Sequence, residues 1–598
     1  MDRVAQGVVD PIQDRSVMTV ADLVVDYLRV AGVEYVFGVP GGGIEPFFDA
    51  FARRERLGGP RIITVRHESG GAFMAEGYAR ETGRIGVCIA TAGPGATNQL
   101  TGVASAHENR VPLLALTGQS ALSKFGRRAV QESSSAAIDV MGIYAGATIF
   151  NALVSSPAQV ETMVTTALMR ASQLRGPAHL AIPVDVQREQ VIGALGHQSL
   201  RQLCRAPVFA DSSAVEDLVD LLRRASNPIL VIGERALAAA RRITDLADWL
   251  DCPFVTTPDA KGLIDPYHRQ FRGVFGFAGH ASANEALAAN RDLVVVFGSP
   301  LGEVGTAGWS KAILNDRLVH VDAIPDYFPQ SPMARLHVCG DLEDVVARLQ
   351  EALPPRPAGS QEVLSVNPAE DAAEAVGGDK LAPGVSPEAL LGRISTTAPS
   401  NLRLFADSGN SMAWAIHCLR VRDRRGQTQA LPGARLGPYR ADRRGRPRSW
   451  LNVSLDFGAM GWAIGAAIGS AFANRGGPVI CLTGDGSLLM NGQEMTVAQA
   501  ERLPVIFIVL NDSALGMVMH GQRLAGAEAV GYELPPVDFA AFATAMGVKA
   551  LTIAQDADLD DLDVSAFDLQ GGPLLVDVRI DRDATPPMAV RSRTLQAN

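Results

Sequence analysis

Two aspartates, Asp485 and Asp512, each stand just beyond an apolar run of strand length. The first run, Pro478 to Thr483, leads into Gly484-Asp485-Gly486-Ser487. The second, Pro504 to Leu510, ends in Asn511-Asp512. The residues between them read as helical up to Arg502, with Asn491 and Glu494 at capping-box spacing ahead of that run. Strand, loop, helix, strand is the order of a parallel βαβ crossover, in which the carboxyl ends of neighbouring strands lie side by side. Carboxylates brought together there repel unless a cation lies between them, and Mg²⁺ is usually held by one or two carboxylates plus phosphate oxygens. Gly486 permits close backbone approach. Ser487 offers a hydroxyl and an N–H near a helix start, where anions are favoured. The stretch reads as a Mg²⁺–diphosphate site. The competing reading, an ordinary βαβ unit with a turn aspartate, accounts for GDG alone but is weakened by the second aspartate.

A third carboxylate, Glu68, follows the apolar run Arg61–Val65 and precedes a predicted helix, Ser69–Arg80. Taken alone, it is a helix N-terminal carboxylate favouring the dipole. His67 beside it reads as a residue that orients the Glu68 loop. Upstream, Gly38-Val39-Pro40-Gly41-Gly42-Gly43 lacks the G-x-G-x-x-G spacing of a dinucleotide fingerprint and reads as a tight strand-to-helix turn. Downstream, Thr91–Leu100 (TAGPGATNQL) reads as a strand end, a turn and a helix start, and Pro112–Thr117 as a buried strand. Arg110, two residues before Pro112, is either a binder of a substrate carboxylate or a surface arginine.

These groups need a scaffold of parallel strands, and the chain supplies one. At 598 residues it is long enough for roughly three or four domains. Helix and strand alternate from Thr19 onward, after a tail at 1–17. The fold expected is α/β, with three doubly wound parallel-sheet domains at 18–190, 211–354 and 386–585. In the second, helices are predicted at Ser213–Arg224, Arg235–Leu250 and Leu342–Leu353, and strands at Pro228–Ile232, Leu293–Gly298 and Leu318–Asp322. Residues 354–384 read as an exposed linker rich in Pro, Gly, Ala and Glu. A segment from Arg420 to Arg448 carries ten arginines and reads as a surface insertion.

Composition excludes several classes. Hydrophobic residues are 47% and charged ones 20%, a globular balance. The net charge of −10 argues against a nucleic-acid surface. Six scattered cysteines, with no C-x-x-C pair, argue against a zinc site or disulfide framework and suit a reducing cytoplasm. The first residues do not form a signal peptide, and no segment reaches the ~18 apolar residues of a membrane span.

With these residues in view, GDGSLLMNGQEM…LPVIFIVLNDSALGMV resembles the signature of enzymes dependent on thiamine diphosphate (ThDP), GDG followed by N-N or N-D, in the acetolactate synthase-like branch. VFGVPGG…RHE…AFMAEGYAR…TAGPGATN is similar to the pyrimidine-binding domain of the same family. The resemblance covers about residues 18–585. It implies a metal held by Asp485, Asp512 and the main-chain carbonyl of Ala514, although many members have Asn at the position of Asp512. It makes Glu68 the glutamate that contacts N1′ of the cofactor's pyrimidine. Gln131, in Ala129-Val130-Gln131-Glu132, matches the substrate-facing glutamine of A-F-Q-E. Phe405–Ser411 resembles the diphosphate-side loop D-V-G-Q-H, which carries Gly409, Asn410 and Ser411 over as cofactor contacts. Asp456–Gly461 matches G-L-G-T-M-G, so that Met460 props the cofactor into its bent form and the Gly458 backbone contacts its 4′-amino group. Gly486 and Ser487, with Leu515, Gly516 and Met517 after the metal loop, complete the diphosphate cradle.

The middle domain resembles one that binds FAD in biosynthetic acetolactate synthases, and Gly273–Gly279 is similar to part of that site. The family's F-G-x-R-F-D is replaced here by Phe297-Gly298-Ser299-Pro300-Leu301-Gly302, without the arginine. FAD is therefore doubtful, and the domain is read as structural. The reaction implied is decarboxylation of a 2-oxo acid and transfer of the acyl carbanion to a second 2-oxo acid. It would take place in a homodimer or homotetramer whose active sites lie at the subunit interface. At Met519-His520-Gly521-Gln522 the chain lacks the tryptophan that shapes the acceptor pocket of biosynthetic members. Larger or aromatic 2-oxo acids are accordingly an alternative, as is simple decarboxylation. The C-terminal Pro586–Arg593 reads either as a cover for the site or as a surface tail.

Overall fold

Short β-branched and aliphatic runs with both faces buried become strands of parallel sheets. The computed structural model describes residues 18–191, 196, 198–356, 384–422 and 448–588. The N-terminal tail, most of the linker after 354, residues 423–447 of the arginine-rich segment and the chain beyond 588 lie outside the described residues, and with them the readings made there.

The chain divides into two compact units, Met1–Ala206 and Pro207–Asn598. The strands of the first are β1 (Met18–Thr19), β2 (Tyr35–Gly38), β3 (Arg61–Thr64), β4 (Gly86–Ala90), β5 (Leu113–Gln119), β6 (Phe150–Leu153), β7 (Pro177–Pro183) and β8 (Gln190–Val191). Six form a sheet in the order β3-β2-β4-β5-β7-β6, all neighbours parallel. β1 and β8 pair antiparallel. The first helix runs from Val20 to Ala31. The Thr19 side chain accepts from the Asp22 N–H at 3.2 Å and closes a capping box with it.

The second unit carries two sheets. One holds β9 (Pro228–Ile232), β10 (Phe254–Thr256), β11 (Phe271–Val274), β12 (Leu293–Phe297), β13 (Leu318–Asp322) and β14 (Leu336–Cys339), in the order β11-β10-β9-β12-β13-β14. The other holds β15 (Arg403–Ala406), β16 (Leu451–Asn452), β17 (Val479–Gly484), β18 (Val505–Asn511), β19 (Lys549–Ile553) and β20 (Leu574–Arg579), in the order β16-β15-β17-β18-β20-β19. Every pairing in both is parallel. Three parallel-sheet α/β domains are thus present, as expected.

Two local expectations need correction. Arg235–Leu250 is not one helix: Glu234–Ala236 is a 3₁₀ turn, and the α-helix runs from Ala240 to Trp249. The helix after β17 does not wait for a cap at Asn491. It starts at Asp485, directly after the strand, and the Asn491 side chain makes no capping bond. Asn491 instead packs against Gly461, where an added Cβ would lie 2.3 Å from its Nδ2.

Candidate active site

In the second unit, the register of β17 against β18 pairs Gly484 with Leu510, so Asp485 and Asp512 emerge side by side at the carboxyl edge of the sheet. Both are largely withdrawn from water. Asp485 Oδ1 accepts from the Gly486 N–H at 2.7 Å. The N–H of Ala514 serves both carboxylates, at 3.3 Å from Asp485 Oδ2 and 3.1 Å from Asp512 Oδ1. Ser513, with φ +54°, turns the chain back so that this N–H faces the pair. Burial raises the Asp485 carboxyl to about 6. Burial, with the charge of Asp485 added, raises Asp512 to about 7. Of the pair Asn511-Asp512, only the aspartate faces the cleft. Asn511 turns into the sheet and donates to Asp577 at 2.9 Å and to the Val537 carbonyl at 3.1 Å.

The aspartates form one wall of a cleft of about 260 Å³. Gly409, Asn410, Ser411, Gly458, Met460, Gly486, Ser487, Ala514, Leu515, Gly516 and Met517 all line it. The cofactor and metal residues expected in this half of the chain are therefore brought to one place. Two helices aim their N-termini there, Asn410–Cys418 and Gly516–Ala525, and such ends attract anions. Gly516 has no room for a side chain: a Cβ would stand 2.3 Å from Asn410 Nδ2 and 2.8 Å from Asp512 Oδ2. Asn410 Oδ1 is buried and has no hydrogen-bond partner among the described residues. A site short of one polar partner, with two crowded carboxyls and two helix N-termini, fits a cation and a diphosphate together. Among the described residues no group of three or more His, Cys, Asp or Glu side chains could hold a metal. A cation between Asp485 and Asp512 would complete its shell from backbone and phosphate oxygens.

One further residue of this half has a role that its motif does not announce. Asp407, fully buried, stands past β15 much as Asp485 stands past β17. Its carboxylate accepts from the N–H of Gly461 at 3.0 Å and the hydroxyl of Thr483 at 2.9 Å, and its carbonyl accepts from Ser411 Oγ at 2.8 Å. It ties the Met460–Gly461 turn, the end of β17 and the Asn410 helix to one point. Its place at a strand end was the available signal.

In the first unit, Glu68 opens the helix Glu68–Thr82 and is buried. Asn98 donates to its Oε2 at 3.0 Å. His67 caps the helix through Nδ1, 3.3 Å from the Ser69 N–H, which is the orienting role expected of it. Gly95 stands against the carboxyl, where a Cβ would lie 3.2 Å from Glu68 Oε1. The same turn carries Gly93 (φ +64°), whose Cβ would meet the Gln131 backbone at 3.2 Å. Glu68 and Gln131 thus flank the Gly93–Gly95 turn, and Gln131 is exposed on its loop with φ +58°. Arg110 is not brought there. It lies beyond the far end of the helix Pro94–Glu108, about 20 Å from that turn by helical rise. Gly41 and Gly43 pack on Thr91, and the Gly43 N–H donates to its hydroxyl at 3.2 Å, making the tight turn expected.

Comparison with known proteins adds a second line. Residues 18–139 match the family described as "Thiamine pyrophosphate enzyme, N-terminal TPP binding domain", residues 215–349 its central domain and residues 437–578 its C-terminal TPP binding domain. The chain is 30% identical over 572 residues to the acetolactate synthase isozyme 1 large subunit of Escherichia coli (strain K12), covering 95% of each. It is 31% identical over 595 residues to the acetolactate synthase large subunit of Parasynechococcus marenigrum (strain WH8102), covering 94% of this chain and 87% of that one. An acetolactate synthase of Mycobacterium bovis is 29% identical over 583 residues, covering 95% and 89%.

Proposed function

The chain belongs to the thiamine pyrophosphate enzyme family, in its acetolactate synthase-like branch, and on that premise we propose that it is a Mg²⁺-dependent carboligase that decarboxylates one 2-oxo acid and joins the acyl fragment to a second. The observation that carries the reading is the pairing of Asp485 and Asp512 on the Ala514 N–H inside a cleft lined by two helix N-termini. Asp485, Asp512 and the Ala514 carbonyl would hold Mg²⁺. Asn410, Ser411, Ser487 and the backbone from Leu515 to Met517 would hold the diphosphate, and Met460 and Gly458 the rings. Bound ThDP would supply an electron sink for the pair left on the substrate carbon when CO₂ departs. Glu68, fixed by Asn98, would set its carboxyl against the pyrimidine edge as the proton relay. Gln131 is the substrate-facing amide.

The Glu68 half and the aspartate half lie in separate units. In the reading proposed, the glutamate of one subunit serves the cofactor of another, so the working form is a homodimer or homotetramer. Among the described residues no helix is long and apolar enough to cross a membrane. The cysteines are free, which suits work in the cytoplasm. The middle sheet offers little to FAD. The cation at its carboxyl edge, Arg235, is already engaged by Glu234 and Asp322 and lies over the Tyr327 ring at 4.0 Å. We assign that domain a structural role.

A second reading, a carboligase for bulkier acids, is favoured by the helix Gly516–Ala525. Val518 lines the cleft, and buried Gly521 follows with no large aromatic beside it. One assay separates the readings: purified protein with ThDP and Mg²⁺, given pyruvate alone and then phenylpyruvate- or indolepyruvate-type acids, with products read by mass spectrometry. Acetolactate from pyruvate alone supports the main reading, and condensed product only from the larger acids the second. Aldehyde and CO₂ without condensation would make it a decarboxylase.

A further inference from the structure

The two ends of the helix Asn410–Cys418 meet different surroundings. Its first residues, Asn410 and Ser411, line the cleft. Its last turn is closed from the middle domain by Lys261, which sits in the segment Pro258–Leu263 and is 1% exposed. Lys261 Nζ donates to the carbonyls of Ala415 at 3.4 Å, of Ile416, and of His417 at 3.3 Å. The last carbonyls of a helix lack partners within it, and a cation there is doubly favourable. Among the described residues no carboxylate pairs with this ammonium, although a buried charge is costly unless paired.

The surroundings hold the lysine in place. His280 accepts the Val274 N–H at Nδ1 (2.9 Å), and its Nε2 meets the His417 carbonyl at 3.0 Å. The rings of His280 and His417 stack at 4.8 Å, and His417 Nδ1 meets the Ala278 carbonyl at 3.2 Å. The segment is also bound to the edge of the cofactor-side sheet: Trp450 donates from its backbone to Gly262 at 3.0 Å and from its indole to Ile264 at 3.1 Å. A buried amine aimed along the axis of a helix whose other end lines the cleft is more than core packing requires.

We propose that Lys261 is a positioning residue for the cofactor: clamped on the carboxyl end of the Asn410 helix, its ammonium fixes Asn410 and Ser411 at the diphosphate end of the cleft and adds positive charge along the axis that points there. The proposal rests on the ThDP reading. Burial brings the Lys261 amine down to about 7, so its charge changes near neutrality. Burial keeps His280 well below its usual value and His417 at about 4, and pushes the Cys418 thiol up to about 12. Arg420 adds a fixed positive charge nearby. Asp259, on the lysine's own segment, turns to Thr257 and is raised by burial, as is Glu234 beside it.

The test is ThDP binding, measured by calorimetry at saturating Mg²⁺ from pH 6 to pH 9, for the wild-type protein and for Lys261→Met. Titrations common to both proteins and to ThDP cancel in the ratio of dissociation constants. That ratio is expected to be about tenfold at pH 6, the weight of one charge-assisted hydrogen bond, and to narrow towards pH 9 as the wild type loses its charge. Lys261→Arg, with a permanent charge, should bind like the wild type at pH 6 and more tightly than it at pH 9. This variant carries the test if the methionine protein does not fold. Equal binding of wild type and variant at pH 6, or a ratio that stays constant with pH, overturns the positioning role and leaves the ThDP reading intact. A wild-type protein that binds no ThDP overturns both.

Discussion

Asp485 and Asp512 share one donor: the Ala514 N–H lies 3.3 Å from an oxygen of the first and 3.1 Å from an oxygen of the second. The shared N–H does not offset their burial, which raises Asp485 to about 6 and, with the charge of Asp485 added, Asp512 to about 7, against an ordinary 3.8. Without metal, the folded protein therefore holds protons that the unfolded chain releases. The stabilising contribution of these protons is full below the ordinary carboxyl value and is lost as pH rises through about 7. The melting temperature of metal-free wild type, taken relative to that of Asp512→Asn so that the buried histidines and Lys261 cancel, should fall between pH 5 and pH 8. The stabilisation gained from Mg²⁺ with ThDP should grow over the same range. Asp407, raised to about 6 by burial, adds a slope that metal does not remove. Thermal melts with and without Mg²⁺ and ThDP, at several pH values, check this.

Glu68→Gln keeps the shape of the side chain and its bond from Asn98 but replaces the acid with an amide that cannot relay a proton. Steady-state kinetics should show a fall in kcat of about 10²–10⁴-fold. ThDP binding should weaken far less than kcat falls, because the diphosphate cleft is unaltered and only the contact at the pyrimidine edge changes.

Gly516→Ala should harm the reaction by geometry alone. The new methyl would enter within 2.3 Å of Asn410 Nδ2 and 2.8 Å of Asp512 Oδ2. Displacing either group should lower kcat/KM by about 10²-fold while circular dichroism and melting stay close to wild type.

Asp407→Asn tests the tie between the Met460–Gly461 turn, Thr483 and the Asn410 helix. An amide puts a donor where the carboxylate accepts. We expect a loss of about 1–3 kcal/mol in denaturant unfolding, together with weaker ThDP binding.

Much of this was legible in the chain because parallel sheets expose their logic in sequence. Buried strands read as apolar runs, and functional groups follow at their carboxyl ends. Asp485, Asp512 and the Gly93–Gly95 turn beside Glu68 were found in that way. Among the strands that escaped, β10, β11 and β14 are three or four residues long. In β11, Phe271–Val274, an arginine and a glycine break the apolar run and hide the strand in a glycine-rich stretch. The capping spacing of Asn491 and Glu494 misled because the backbone after Gly484 enters the helix at once, which no side-chain pattern announces. Lys261 was unreadable for a different reason. Nothing local marks a lysine as buried, since its partners are carbonyls more than 150 residues away.

The central claim is that the cleft at Asp485 and Asp512 binds ThDP through a cation. Its most direct measurement is calorimetric titration of the metal-stripped protein with ThDP, with and without Mg²⁺, repeated on Asp485→Asn. Tight stoichiometric binding that requires Mg²⁺ and is lost in the variant is the result predicted. Binding that is indifferent to Mg²⁺ and survives in Asp485→Asn would contradict the account.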